Sequence, residues 1–140
     1  MNFQKKKKVM EKLCYTTQDT SCKYDLNFTQ LIYLNLSYNK FNQNIPDQLV
    51  QFAQLCQLDL SHNCLEGEIP SNIDILQNLV MLNISHNISG EIPSSFEDMK
   101  WLMYADVSFN QLQAPIPNSV AFLLAPIEAM EGIKDYVEIK

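Results

Sequence analysis

The sequence predicts an α/β chain wound into a right-handed solenoid. A parallel sheet lines its concave side, and short helical or 3₁₀ pieces line its convex side. Three observations predict this. The pattern L-x-x-L-x-L-x-x-N, with conservative replacements, recurs at Leu31–Asn39, Leu55–Asn63, Leu79–Asn87 and Leu102–Asn110. An Ile-Pro pair follows each segment, at Ile45-Pro46, Ile69-Pro70, Ile92-Pro93 and Ile116-Pro117. Within each segment apolar and polar residues alternate with period two, the mark of a strand with one buried face. One coil cannot bury its own apolar edge, so stacked coils must share a core.

Each part of the coil follows in order. In the second coil Leu58 and Leu60 point inward, while Gln57, Asp59 and Ser61 point outward. Asn63 then turns the chain. An inward asparagine there bonds backbone groups that a tight turn leaves unpaired. Asn39, Asn63, Asn87 and Asn110 should therefore stack as a ladder. Leu65 and Ile69 re-enter the core, and Pro70 holds Ile69 in an extended conformation. Pro70 also suits the start of a helical turn, after which Ile73 and Leu76 anchor the convex side. The third coil is one residue short after Asn87, so Ile88 takes the place of Leu65 and a local distortion is expected there. The expected boundaries are a poorly defined cap over residues 1–30, four coils over 31–118, and a terminal cap and tail over 119–140. Val120 to Ile127 should fold back over the last coil, with Gly132 to Lys140 mobile.

Composition narrows the function classes. Of 140 residues, 46% are hydrophobic and 19% charged, as in ordinary folded proteins. The net charge is -6 and no arginine is present. Residues 1–30 carry six lysines against three acids, whereas the rest carries four lysines against thirteen acids. Such an acidic body lacks the clustered cations that nucleic-acid binding needs. No apolar run approaches the ~18 residues of a membrane span. The start, with Lys5 to Lys8, does not read as a secretory signal, and the lysines read as a solvated tail. Cys14, Cys22, Cys56 and Cys64 lack zinc-ligand spacing. Cys14 and Cys22 can pair if the chain is exported, and Cys56 and Cys64 are expected as free thiols.

The extended motif reads L-x-x-L-x-L-S-x-N-x-L-x-G-x-I-P, with Cys64-Leu-Glu-Gly-Glu-Ile-Pro70 and Ile88-Ser-Gly-Glu-Ile-Pro93 as its second half. It resembles the plant-specific leucine-rich repeat of receptor-like kinase and receptor-like protein ectodomains and of polygalacturonase-inhibiting proteins. The resemblance covers residues 26–118. Asp106 to Ser119, Ala121-Phe122 and Ala125-Pro-Ile-Glu-Ala129 look like the last repeat and juxtamembrane cap of the male-discoverer-interacting receptor-like kinases. In that group a cap cysteine, a membrane span and a Ser/Thr kinase follow. Here Gly132-Ile-Lys-Asp-Tyr136 stands instead. The usual amino-terminal cap, with its tryptophan and paired cysteines, is also not matched. The resemblance implies a membrane-proximal ectodomain fragment at the cell surface, active in signalling through a peptide ligand or a partner receptor.

The concave face offers the candidate binding residues: Tyr33, Asn35, Ser37, Tyr38, Gln57, Asp59, Ser61, His62, Met81, Asn83, Ser85, His86, Tyr104, Asp106, Ser108 and Phe109. Tyr33, Tyr104 and Phe109 are the natural anchors, because aromatics carry much interface energy. The plain alternative is a solvated face. His62 and His86 sit one coil apart without a third ligand in register, so no metal or other cofactor is expected. Asp59, Ser61 and His62 lie along one strand and cannot converge on one reacting atom, so no catalysis is expected. N-x-S/T sequons occur at Asn27, Asn35, Asn83 and Asn87. Asn87 belongs to the ladder and is discounted, leaving Asn27, Asn35 and Asn83 as glycan acceptors in an exported chain. The competing readings are a truncated receptor remnant without a binding role and a secreted inhibitor-type repeat protein.

Overall fold

The computed structural model describes residues 30–135. Four three-residue strands, β1 (Tyr33–Asn35), β2 (Gln57–Asp59), β3 (Met81–Asn83) and β5 (Tyr104–Asp106), form one parallel sheet in the order β1-β2-β3-β5. The register is the repeat itself: Tyr33 pairs with Gln57, Gln57 with Met81, and Met81 with Tyr104. A second parallel pair joins β4 (Ser89–Glu91) to β6 (Gln111–Gln113). Single bridges at Asn44–Glu66 and Gln113–Lys134 continue that line at either side.

The convex side is a staircase of i to i+3 backbone bonds. Leu49 N–H donates to Pro46 C=O, Phe52 to Leu49, and Leu55 to Phe52. The same steps run through Pro70, Ile73, Leu76 and Leu79, and through Pro93, Phe96, Met99 and Leu102. These are 3₁₀ turns at Asp47–Gln51, Ile73–Ile75 and Ser94–Asp98. Three residues per turn put every third side chain on one face. Accordingly Leu49, Phe52 and Leu55, Ile73, Leu76 and Leu79, and Phe96, Met99 and Leu102 are all buried. Proline heads each staircase, where a missing N–H costs nothing and its carbonyl accepts the first bond.

The core is one continuous cluster between strands and staircase. It holds Leu34, Leu58, Leu82 and Ala105 from the sheet, and Leu65, Ile69, Ile88, Ile92 and Leu112 from the second line. The asparagine ladder closes its rim. Nδ2 of Asn63 donates to Leu36 C=O of the preceding coil and to Leu60 C=O of its own, while Oδ1 accepts from Phe41 N–H. Asn110 repeats both donations, to Ile84 C=O and Val107 C=O, while Asn87 donates to Leu60 C=O of the preceding coil and to Ser85 C=O of its own and accepts from Leu65 N–H. Only Asn110 is fully buried; Asn39, Asn63 and Asn87 are half-buried or close to it, shallower than expected for an interior ladder.

The shortened third coil distorts as expected, in a specific way. Oδ1 of Asn110 takes two successive amides, Asn87 N–H at 2.6 Å and Ile88 N–H at 2.8 Å. In the longer coils the corresponding oxygen takes one amide at 3.3 Å.

The carboxyl-terminal segment corrects the sequence reading. A short helix α1 (Val120–Leu123) buries Ala121 and Phe122, with Phe122 edge-on to Phe96 at 5.3 Å. A 3₁₀ turn follows at Ile127–Met130. Val107 N–H then donates to Ala129 C=O and Phe109 N–H to Glu131 C=O, continuing the ladder that links β3 to β5. Lys134 N–H donates to Leu112 C=O. Residues 129–134 thus form a fifth, abbreviated coil instead of a free tail, and Gly132, Ile133 and Lys134 are held in register. Gly132 occupies the turn position with φ +87°, and buried Ile133 stands where each earlier coil has its asparagine. Tyr136 to Lys140 and residues 1–29, with Cys14, Cys22 and Asn27, lie outside the described residues.

Candidate functional site

The strands expose their outward row to a shallow concave cavity of about 250 Å³. Tyr33, Asn35, Gln57, Asp59, Met81, Asn83 and Tyr104 line it, with Leu34 and Leu58 behind them. Tyr33 and Met81 are exposed, and Tyr104 is half-buried. The phenol of Tyr104 donates to Asp106 Oδ2 at 3.4 Å. Burial first, then the charge of Asp106 and that bond, raise the Tyr104 pKa above the ordinary tyrosine range.

The last residue of each strand carries a fixed task. Asn35, Asp59, Asn83 and Asp106 each accept, through Oδ1, the backbone N–H two residues on, at 3.0 Å. This is an Asx-turn, which asparagine and aspartate make equally well. The serine hydroxyls of Ser37, Ser61 and Ser108 add a second bond to the same oxygens at 2.6–2.7 Å. The turn curls these serines under the sheet edge. Ser61, Ser85 and Ser108 are buried and Ser37 half-buried, so they do not belong to the open face expected from alternation. Period two holds through Leu36, Leu60, Ile84 and Val107 and fails at the serine that follows each.

The next position departs further from the strand. Tyr38, His62, His86 and Phe109 adopt left-handed φ of 53°, 52°, 58° and 53°. That backbone costs a non-glycine residue about 1 kcal/mol. It swings the four rings out of the concave row and stacks them as a column beside it. Ring centroids lie 4.3, 4.1 and 4.5 Å apart, with interplanar angles of 11°, 24° and 16°. The terminal rings Tyr38 and Phe109 are exposed, whereas His62 and His86 are half-buried. The predicted face therefore divides in two: a cavity around Asp59, and a ring column that does not line it. Stacking also turns the imidazole faces, not their in-plane nitrogens, toward one another. Among the described residues no group of three metal-ligating side chains gathers. Cys56 and Cys64 are free thiols. The ring column escaped the sequence reading, although its signal was there: the residue before every ladder asparagine is planar.

The sequon asparagines sit differently. Asn35 is exposed and Asn83 half-buried, both on the cavity wall, whereas Asn87 spends its amide on Leu60 C=O and Ser85 C=O.

The model of the Leucine Rich Repeat family matches residues 30–52, 54–76 and 78–99. No curated protein sequence matches the chain. Among solved structures, the chain is similar to the leucine-rich-repeat ectodomain of the Arabidopsis receptor kinase HAESA, in complex with an N-terminal extended IDA peptide hormone ligand. Identity is 33% and the TM-score 0.63, over 76% of this chain and 18% of that one. The BIR2 ectodomain from Arabidopsis thaliana is similar at 38% identity and TM-score 0.58, over 60% of this chain and 45% of that one. A chain of the BIR3–SERK2 complex from Arabidopsis thaliana is similar at 37% identity and TM-score 0.59, over 61% and 46% respectively. This chain spans less than half the length of each. Among the described residues no helix is long and apolar enough to cross a membrane. The fold is a leucine-rich-repeat solenoid, and its repeats and structural neighbours support reading the chain as part of a plant receptor-kinase ectodomain.

Proposed function

We propose that the chain is a protein- or peptide-binding module from the membrane-proximal end of a plant receptor-like kinase ectodomain, of the male-discoverer-interacting type. The cavity across β1, β2, β3 and β5 carries the reading. It puts the exposed side chains of Tyr33 and Met81 and the half-buried Tyr104 beside the amide of Gln57 and the carboxylate of Asp59. That mixture suits an extended polypeptide, whose side chains and backbone need apolar walls and polar partners together. The HAESA structure is of a complex with a peptide hormone, and the BIR3–SERK2 structure is of a complex between two proteins, which supports a ligand or a partner protein here. The column Tyr38, His62, His86 and Phe109 borders the same face and forms its rim. The chain acts at the cell surface, exposed to the outside, and carries glycans at Asn35 or Asn83, with Asn27 as a third acceptor.

Secretion from plant cells behind a signal peptide tests this. Mass spectrometry should find glycans at Asn35 or Asn83. Crosslinking to extracellular proteins should capture partners that a Tyr33→Ala, Tyr104→Ala protein does not. A folded product that is unglycosylated and captures nothing sinks the reading.

A further inference from the structure

We infer that the concave cavity is a seat for a cationic side chain, lysine or arginine, supplied by the bound polypeptide. This rests on the binding reading above and adds the chemical identity of the group it holds. Among the described residues, Asp59 is the one carboxylate that lines the cavity, and no lysine or histidine lines it. Its Oδ1 is committed to Ser61, through both N–H and hydroxyl. Among the described residues, Oδ2 of Asp59 accepts no hydrogen bond. Asp106, the in-register counterpart two coils on, has instead given its Oδ2 to Tyr104. Asp59 is therefore the carboxylate with an oxygen to offer.

The walls suit the rest of such a side chain. Met81 and the two tyrosines, Tyr33 and Tyr104, supply apolar surface for a methylene stem and aromatic faces for the cation. A volume of about 250 Å³ fits one long side chain with water, not a drug-sized ligand. The field points the same way. Residues 30–135 hold three lysines, Lys40, Lys100 and Lys134, against twelve carboxylates. An acidic solenoid repels acidic partners and draws in basic ones.

The repeat supplies its own control. Asn35 and Asn83 make the same Asx-turn as Asp59, at the same register, in the flanking coils. In protein made in bacteria, where the N-x-S sequon it creates takes no glycan, Asp59→Asn therefore keeps the turn and removes only the charge.

The test uses the full chain and a library of random peptides balanced in acidic and basic residues. Selected peptides should share a lysine or arginine at one position. Replacing it by methionine should weaken binding on the order of tenfold, the loss expected for one charged hydrogen bond at a partly exposed site. The Asp59→Asn protein should bind the parent peptide about tenfold more weakly, and should no longer distinguish it from the methionine peptide. Binders without a basic preference, or an Asp59→Asn protein that still prefers lysine over methionine, overturn this inference and leave the binding reading standing. A library that yields no binder at all overturns both.

Discussion

His62 and His86 lie face to face with ring centroids 4.1 Å apart, each with its opposite face against another ring. The column is held together by backbones that L-residues rarely adopt, so the rings must return the energy spent at those four turns. His86→Ala isolates the effect, because alanine pays the same left-handed backbone cost and has no ring. We expect a loss of about 1 kcal/mol in urea unfolding, with His86→Phe near wild type. An alanine variant as stable as the parent would show that the stack contributes nothing.

Asn110 should be the least replaceable rung of the ladder. It satisfies Asn87 N–H, Ile88 N–H, Ile84 C=O and Val107 C=O from a buried position. Asn110→Ala strands four groups and should cost about 3 kcal/mol or more. Asn39→Ala loses bonds to Leu36 C=O and Ser37 C=O near the surface and should cost about 1 kcal/mol. Equal losses in denaturant titrations would contradict the ladder geometry.

The fifth coil depends on Phe122 packing edge-on against Phe96. Phe122→Ala should cost about 3 kcal/mol, concentrated at that end of the solenoid. Hydrogen exchange reads this directly. The Val107 and Phe109 amides, which donate to Ala129 and Glu131, should exchange much faster, while those of Leu36 and Tyr38 hardly change. Uniform acceleration along the chain would show that the coil does not dock as a separate unit.

Tyr104 should be among the last tyrosines to ionise. Its folded pKa is raised, chiefly by burial and then by Asp106, so the folded state keeps the proton longer than the unfolded chain does. The stability it contributes is intact below the unfolded value of about 10 and drains away as pH climbs through the folded value. Ultraviolet titration of Tyr104→Phe should remove a late-ionising phenol, and Asp106→Asn should bring that phenol back toward normal. A Tyr104→Phe protein whose titration curve loses only an early-ionising phenol would disprove the assignment.

The strand row, the asparagine rungs and the proline-headed convex turns were legible because all three depend on spacing along one coil. Leu58 and Leu82 point inward for the same reason of register. The serines were misread because the Asx-turn at Asn35, Asp59, Asn83 and Asp106 draws in the residue two positions on, where alternation puts it outward. The ring column needed a backbone conformation that histidine and tyrosine do not advertise. The fifth coil was hidden because Gly132 and Ile133 keep the path of the chain while replacing the ring and the asparagine that mark it elsewhere. Asp59 was visible as a candidate, but its spare oxygen appears only once the turn's hydrogen bonds are placed.

The stepped convex wall sets a rule for how this protein can change length. From Pro46 to Leu55, from Pro70 to Leu79 and from Pro93 to Leu102 the spacing is invariant, even in the coil that lost a residue. A single insertion there would rotate every later anchor into water, whereas adding a whole triplet would only lengthen the wall by one step. Growth and shrinkage by ones is left to the bends, where an asparagine can gather a second amide and absorb the slack.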